Sequence, residues 1–225
     1  QQAAARAKGE DTGLLHSFAV LFSNKVAVRT VAFLASIYLT WNLVASVCGF
    51  FLPHIYETAG GVSNETANWM ACVLWAITVA ITFVCSQIID KVSHKLIYIA
   101  GLAAAIAAWL VIVSGIEGMA GLWLFNILWG IEGGISVQVF YALWGSELFP
   151  ARFRAGAQGL MFFLVRGLSA VWGLSFTYIY AGGEGFTLAS WCMIVLLVIS
   201  LVIGIAGCPN TRGKSLAEIT KERYG

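Results

Sequence analysis

The stretch LIYIAGLAAAIAAWLVIVSGI, residues 96–116, decides the fold because it is a long run of apolar side chains without a single charge. A helix needs roughly 20 apolar residues to cross the hydrocarbon core of a bilayer, which is about 30 Å thick. Five further long apolar runs, with few charged residues, lie at roughly 30–53, 68–89, 119–147, 156–181 and 186–207. The sequence therefore predicts an all-α membrane protein with six transmembrane helices.

The overall composition agrees with this interpretation. Hydrophobic residues make up 60% and charged residues 11% of the 225 residues, whereas about 25% of the residues in a soluble domain are charged. A membrane β-barrel would consist of segments of about ten residues that alternate between apolar and polar. Residues 102–113 are instead apolar on every side, so we do not expect a β-barrel.

Residues that could support catalysis or bind a cofactor are few and scattered. His16, His54 and His94 all lie at or beyond the ends of apolar runs, so they do not form a haem-binding pair or a catalytic set inside the membrane. The five cysteines lack the paired spacing of a metal site. A net charge of +2 does not indicate a nucleic-acid partner. We expect no enzymatic activity, no metal and no cofactor.

The distribution of basic residues predicts the orientation in the membrane. All but one of the 13 lysines and arginines lie before the first apolar run, after the second, after the fourth or after the sixth. The three intervening loops contain glutamates but no lysine or arginine. By the positive-inside rule, both termini are expected in the cytoplasm, and the protein in the cell membrane.

We expect three parts along the chain. Residues 1–25 would form a cytoplasmic linker and an amphipathic helix, because apolar residues recur at helical spacing in residues 13–28. Residues 26–208 would form the transmembrane bundle, and residues 209–225 a cytoplasmic tail. Since the chain begins at Gln1 and lacks a signal-peptide pattern, we expect it to be a piece of a longer protein.

Two cytoplasmic turns carry an acid followed by bases. They are DKVSHK, residues 90–95, and GSELFPARFRAGAQG, residues 145–159. An acid at the C-terminus of a helix is disfavoured by the helix dipole, so Asp90 and Glu147 would gain from a cationic partner. Pairing with bases of neighbouring turns is one interpretation, and simple solvated loops are the other.

Two ionisable residues lie well inside apolar runs. Glu132 and Arg166 are each expected near the bilayer midplane, about 22 and 16 Å from the cytoplasmic turn at 1.5 Å per residue. Such residues usually face the bundle interior or a water-filled cavity and are functional candidates. A structural ion pair between adjacent helices is the alternative. The glycines at 130, 133 and 134 favour close helix packing, and a bend in the helix is the second interpretation.

A polar patch lies in the middle of the first run. Trp41 is too deep for an interfacial aromatic belt, and amide and hydroxyl groups surround it in sequence. An indole ring beside hydrogen-bonding groups suits a hydroxyl-rich ligand, although hydrogen bonding between helices would also explain Asn42. The candidate substrate-binding residues are Thr40, Trp41, Asn42, Ser46, Gln138, Tyr141 and Arg166.

Four stretches together resemble the sugar porter family of the major facilitator superfamily. They are ELFPARFRAGAQG at 147–159, DKVSHK at 90–95, IYETAG at 55–60 and PNTRGKSL at 209–216. The resemblance runs from about Phe18 to the end and implies one six-helix half of a twelve-helix transporter. The partner would be the missing amino-terminal six-helix half of the same polypeptide, within the lipid bilayer.

The resemblance also implies roles for the charged turns and for the midplane charges. Residues of the turns would form a cytoplasmic gate network, comprising Asp90, Lys91, Glu147, Arg152 and Arg154. The hexose-binding amides usual in the first helix are absent, and residues 157–159 with Arg166 resemble a bacterial inositol-transporting branch. The substrate would then be a sugar or a cyclic polyol such as myo-inositol. It would move with a proton by alternating access, with Glu132 as coupling residue or site charge.

Two other functions fit the same fold. Arg166 could anchor the carboxylate of a small organic anion in a transporter of that cargo. A sensor derived from a transporter, which moves nothing, is the third interpretation.

Overall fold

The computed structural model describes residues 22–115, 118–180, 185–211 and 213–224, without the side chains of Arg152 and Tyr180. These residues form eight helices and no strand. The helices are α1 (Lys25–Gly60), α2 (Asn64–Ile88), α3 (His94–Val113), α4 (Gly118–Ile135), α5 (Val137–Glu147), α6 (Ala151–Tyr180), α7 (Gly185–Gly207) and α8 (Leu216–Tyr224).

Within these described ranges, six helical spans are long and apolar enough to cross a membrane, with α4 and α5 forming one span together. The prediction of an all-α protein with six transmembrane helices is therefore confirmed. Residues 1–21 lie outside the described part of the chain. They include most of the predicted linker and amphipathic helix, so the division at residues 25 and 208 stays a prediction.

The turn between α1 and α2 is set by local backbone chemistry. Gly61 adopts a positive φ of 62°, which glycine tolerates best, and its N–H donates to the Glu57 carbonyl oxygen at 2.9 Å. Ser63 then caps α2, because its Oγ accepts from the Thr66 amide at 3.3 Å. At the other end of α1, Oδ1 of Asn24 accepts from two amide groups of the first turn. These caps satisfy backbone groups at both ends of α1 and at the start of α2.

The spans pack in two groups, one centred on α4 and the other on α1, and α3 and α7 connect the two groups. α4 packs on both α2 and α3, α1 packs on both α6 and α7, and α3 packs on α7. The α3–α7 contact is close because Gly204 leaves room for the Tyr98 ring, whose hydroxyl donates to the Ser200 carbonyl oxygen at 2.9 Å. Tyr98 also packs against Phe140 and Trp144 in the buried core.

The last helix closes one end of the bundle. Ser215 and Glu218 form a capping box at its start, and these hydrogen bonds lower the pKa of Glu218. Arg223 donates to the Thr30 hydroxyl at 2.8 Å, and Tyr224 donates to the Leu148 carbonyl oxygen at 3.1 Å. The start of α1, the α5–α6 turn and α8 therefore share one end. This end contains several of the basic segments from which the cytoplasmic orientation is predicted.

Candidate functional site

The fourth span is broken in the middle of its length. α4 ends at Ile135 and α5 begins at Val137, because Ser136 leaves the helical region with φ −100° and ψ −147°. Two glycines precede this serine and a β-branched valine follows it, all of which are weaker helix formers than alanine. The break separates Glu132, on the last turn of α4, from Gln138, on the first turn of α5.

The glycines around Glu132 allow α2 to approach α4 closely. A Cβ at Gly134 would lie 2.5 Å from Cγ2 of Ile81, and a Cβ at Gly130 would lie 2.7 Å from Cγ2 of Ile77. Thr78 adds a hydrogen bond from its hydroxyl to the Gly130 carbonyl oxygen at 3.3 Å. The prediction that these glycines serve helix packing is confirmed, and a bend accompanies the packing.

A cavity of about 390 Å³ lies between α1, α2, the broken fourth span and α6. Small-molecule sites usually have volumes of about 300–1,000 Å³. Apolar residues from α1, α2 and α4 form part of its wall, including Leu74, Trp75 and Trp129. The predicted residues that line it are Trp41, Asn42, Ser46, Glu132, Gln138 and Arg166.

The structure does not place Thr40 or Tyr141 among the residues that line this cavity. The Thr40 hydroxyl bonds back to its own helix, at 2.9 Å from the Ser36 carbonyl oxygen. Tyr141 stacks on Tyr38 with ring centroids 3.9 Å apart, and its hydroxyl donates to the Gln158 carbonyl oxygen at 3.3 Å. In this arrangement both residues contribute to helix structure and packing.

Glu132 is held by the first helix. The residue is 1% exposed, and its Oε1 accepts a hydrogen bond from Nε1 of Trp41. Its Oε2 is buried without a hydrogen bond of ordinary geometry to the described residues, although the Ser136 hydroxyl at the helix break lies close enough to act on the carboxyl group. Because the indole N–H is directed at the carboxyl group, Trp41 offers the cavity chiefly its apolar ring.

Arg166 is in a different environment. Its side chain is exposed, and its guanidinium carbon lies 5.0 Å from the centroid of the Phe162 ring, one helical turn earlier on α6. No ion pair joins Arg166 to Glu132, although both line the same cavity. The structure therefore does not support the alternative interpretation of these two residues as a structural ion pair.

Asn42 is fixed by a residue that the sequence analysis missed. Ser169, on α6, donates from its hydroxyl to Oδ1 of Asn42 at 2.9 Å, and both side chains are buried. The available signal was its spacing, because Ser169 follows Arg166 by three residues and so lies on the same helical face. Trp129 was missed as well, and it precedes Glu132 by the same spacing.

The predicted gate residues lie at the end of the bundle that α8 closes. Glu147 and Arg154 flank the α5–α6 turn, and Asp90 and Lys91 lie in the turn between α2 and α3. Arg154 donates to the Phe149 carbonyl oxygen at 3.4 Å. Among the described residues, Oε2 of Glu147 and Nε of Arg154 are buried without a hydrogen-bond partner.

No ion pair joins Glu147 to Arg154 in this part of the structure. The side chain of Arg152 lies outside the description. Pairing between neighbouring turns, and the gate network itself, therefore remain predictions.

Comparison with known proteins identifies the family. The sequence pattern of the family described as "Sugar (and other) transporter" matches residues 1–222. The chain is 39% identical to the minor myo-inositol transporter IolF of Bacillus subtilis over 88% of this chain and 45% of that protein. It is 26% identical to the arabinose-proton symporter of the same organism over 76% of this chain and 38% of that protein.

The chain spans less than half of the length of each of these two relatives. The family assignment agrees with the four motifs and with the six membrane spans. The chain belongs to the sugar transporter family of the major facilitator superfamily.

Proposed function

We propose that this chain is the carboxyl-terminal half of a twelve-helix transporter that moves a sugar or a cyclic polyol such as myo-inositol across the cell membrane. The observation that carries the proposal is the cavity, which combines the Trp41 ring with the hydrogen-bonding groups of Asn42, Gln138 and Arg166. A polyol ring presents apolar C–H faces and a rim of hydroxyl groups, so it requires both kinds of contact. The 39% identity to a myo-inositol transporter supports the same substrate class.

The transport cycle would require a second six-helix half facing this one. Gln138 and Arg166 line the cavity and are exposed, so they are available to a substrate bound between two halves. Alternating access would open the cavity to one side of the membrane at a time. Both termini of this half would lie in the cytoplasm, with residues 26–208 in the lipid bilayer and residues 1–25 and 209–225 outside it.

A proton is the proposed coupling ion. Glu132 is a buried carboxyl group that lines the cavity and has no ion-pair partner among the described residues, so it can accept a proton there. A buried charge in the membrane is costly unless it has a partner, and protonation removes that cost. The name of the arabinose-proton symporter is consistent with proton coupling in a relative, but this relative is only 26% identical.

The charged turns would act as a gate at the cytoplasmic end. Among the described residues of this half alone, Oε2 of Glu147 and Nε of Arg154 are buried without a hydrogen-bond partner, so both groups would gain from a rearrangement that brings them to charges of the other half. Such contacts with Asp90, Lys91, Glu147, Arg152 and Arg154 would hold this end closed while the cavity opens outward. They would have to break before the cavity could open inward.

A binding titration of the full-length protein tests the substrate class. Thermal stability would be measured with myo-inositol, glucose and a small carboxylate, each at two pH values. We expect myo-inositol to raise the melting temperature, because a ligand that binds only the folded state stabilises it. Stabilisation by none of the polyols or sugars would contradict the proposal.

Transport of a small organic anion is the second candidate, and one observation favours it. Arg166 lines the cavity without an ion-pair partner among the described residues, and a guanidinium group can bind a carboxylate through two parallel hydrogen bonds. In that case the carboxylate alone would stabilise the protein, and Arg166→Gln would abolish the effect. Binding without any uptake would instead indicate a sensor derived from a transporter.

A further inference from the structure

We propose that Ser169 is a positioning residue that fixes the amide group of Asn42 as a hydrogen-bond donor toward the cavity. The amide group of Asn42 would then donate to an oxygen atom of the substrate. The inference rests on the proposed function, because it concerns how a ligand in this cavity is recognised. The sequence motifs of the chain reveal neither the Ser169–Asn42 pair nor the direction in which the Asn42 amide donates.

The first step is the geometry of the pair. Ser169 on α6 and Asn42 on α1 are 5% and 3% exposed, and the serine Oγ lies 2.9 Å from the asparagine Oδ1. A hydroxyl group has one hydrogen to donate, and this hydrogen is given to Oδ1. A polar group buried in a membrane protein needs such a partner, and in this arrangement the contact places the carbonyl end of the Asn42 amide against Ser169.

The second step concerns the other end of the amide. With Oδ1 directed at Ser169, the NH₂ group of Asn42 is turned away from α6. Its Nδ2 donates to no acceptor among the described residues and is not one of the buried unpartnered atoms. Since Asn42 lines the cavity, its NH₂ group is left to donate to a ligand there.

The third step is the polarity that a ligand would meet. Arg166 has only donors, and Asn42, held by Ser169, also presents donors. The Trp41 N–H is directed at Glu132 and is not offered to the ligand. Asn42 and Arg166 therefore recognise substrate hydroxyl groups, or carboxylate oxygens, by donating to the lone pairs of these oxygens.

The test compares variants of the full-length protein by ligand affinity. In Ser169→Ala the amide loses its partner and can rotate, so we expect myo-inositol affinity to fall about three- to tenfold, the usual range for one hydrogen bond. Ser169→Thr keeps a hydroxyl group and should retain most of the affinity. Asn42→Asp keeps an acceptor for Ser169 but has no donor, and should lose at least as much affinity as Ser169→Ala.

Ser190→Ala is the matched control. Ser190 is a buried serine on α7 whose hydroxyl bonds to its own helix, at 2.8 Å from the Phe186 carbonyl oxygen, and it does not line the cavity. A merely structural effect of removing a buried hydroxyl group would appear in this variant too. Size-exclusion profiles and melting temperatures without ligand would establish that all variants fold.

A set of substrate analogues supplies the decisive readout. Replacing a ring hydroxyl by fluorine keeps an acceptor and removes the donor, whereas replacing it by hydrogen removes both. At the ring position that Asn42 contacts, the wild-type protein should bind the fluoro analogue better than the deoxy analogue. Ser169→Ala should lose this preference, and Ser169→Thr should restore it.

The inference is overturned if Ser169→Ala keeps wild-type affinity and wild-type preference among the analogues, or if Ser190→Ala changes them equally. Failure of the proposed function has a different signature, namely that the wild-type protein binds neither myo-inositol nor glucose. In that case the Ser169 comparison is made with the carboxylate, whose oxygens require the same donors. A protein that binds none of the three ligands overturns both proposals.

Discussion

Glu132 and Arg166 are the two charged residues predicted near the bilayer midplane, and their surroundings differ. Glu132 is 1% exposed, lies on the broken fourth span and accepts a hydrogen bond from Trp41. Arg166 is exposed and has a cation–π contact with Phe162 but no ion pair. The acid is thus held by groups of its own bundle, whereas the base is left to a ligand or to another part of the protein. This difference is the basis of the proposed coupling role of Glu132 and of the proposed recognition role of Arg166.

The largest expected effect concerns the acid. We predict that Glu132→Gln in the full-length protein abolishes accumulation of substrate against a gradient, because the amide cannot take up and release a proton. Folding and membrane insertion should be retained, since glutamine has the same size and can accept the Trp41 hydrogen bond. Uptake into proteoliposomes would be measured with and without an imposed proton gradient.

Glu65→Gln is the control for this prediction, because Glu65 is an exposed acid in the first turn of α2, away from the cavity. This control should accumulate substrate as the wild type does. Equal accumulation by Glu132→Gln and the wild type would refute the coupling role of Glu132, and with it the proposed difference in role between Glu132 and Arg166.

The next largest effect concerns the base. We predict that Arg166→Gln weakens ligand binding about ten- to 150-fold, which corresponds to one hydrogen bond to a charged group. Arg29→Gln removes an exposed arginine near the start of α1 and should leave the affinity unchanged. The affinities would be obtained by calorimetry, and equal effects of the two substitutions would show that Arg166 acts only through net charge.

A smaller effect should follow from separating Trp41 from Glu132. Trp41→Phe keeps an aromatic ring but leaves the buried carboxyl group without its donor, which costs about 1–3 kcal/mol. We therefore expect a lower melting temperature, and a much smaller change when the same substitution is made in Glu132→Leu, which has no acceptor for the indole N–H. Trp75→Phe removes an indole N–H elsewhere on the cavity wall and serves as the control. Additive effects of Trp41→Phe and Glu132→Leu would contradict an energetic link between the two residues.

The smallest effect concerns the contact between Arg166 and the Phe162 ring. Phe162→Leu keeps an apolar side chain and removes the cation–π interaction, which is worth about 0.5–1 kcal/mol at an exposed site. We predict a two- to fivefold loss of affinity, roughly the equivalent of that energy. Phe163→Leu alters the adjacent exposed phenylalanine and should have no effect on binding. If Phe162→Leu had an effect as large as that of Arg166→Gln, the ring itself would have to contact the ligand.

The membrane architecture was predictable because apolar runs have a length set by the bilayer, and the family was predictable from four motifs. Depth along each helix was predictable too, which placed Trp41, Glu132 and Arg166 in one layer. Rotation about the helix axis was harder, since it depends on which neighbours a helix packs against. Thr40 and Tyr141 lie at suitable depths, but Thr40 bonds to its own helix and Tyr141 stacks on Tyr38 of α1, so neither lines the cavity.

Contacts between distant residues were the least predictable. The Trp41–Glu132 and Ser169–Asn42 hydrogen bonds join residues that are 91 and 127 positions apart, and nothing local in the sequence specifies either pair. The break at Ser136 was foreshadowed by the glycines before it, but its position depends on how the fourth span packs against α2.

Uptake of labelled myo-inositol by the full-length protein in proteoliposomes, with an inward proton gradient, tests the central claim most directly. Our account predicts that myo-inositol accumulates above its external concentration, that a protonophore abolishes the accumulation, and that glucose or a small carboxylate competes more weakly. Accumulation of the carboxylate without myo-inositol uptake would contradict the polyol assignment, and uptake of neither would contradict transport.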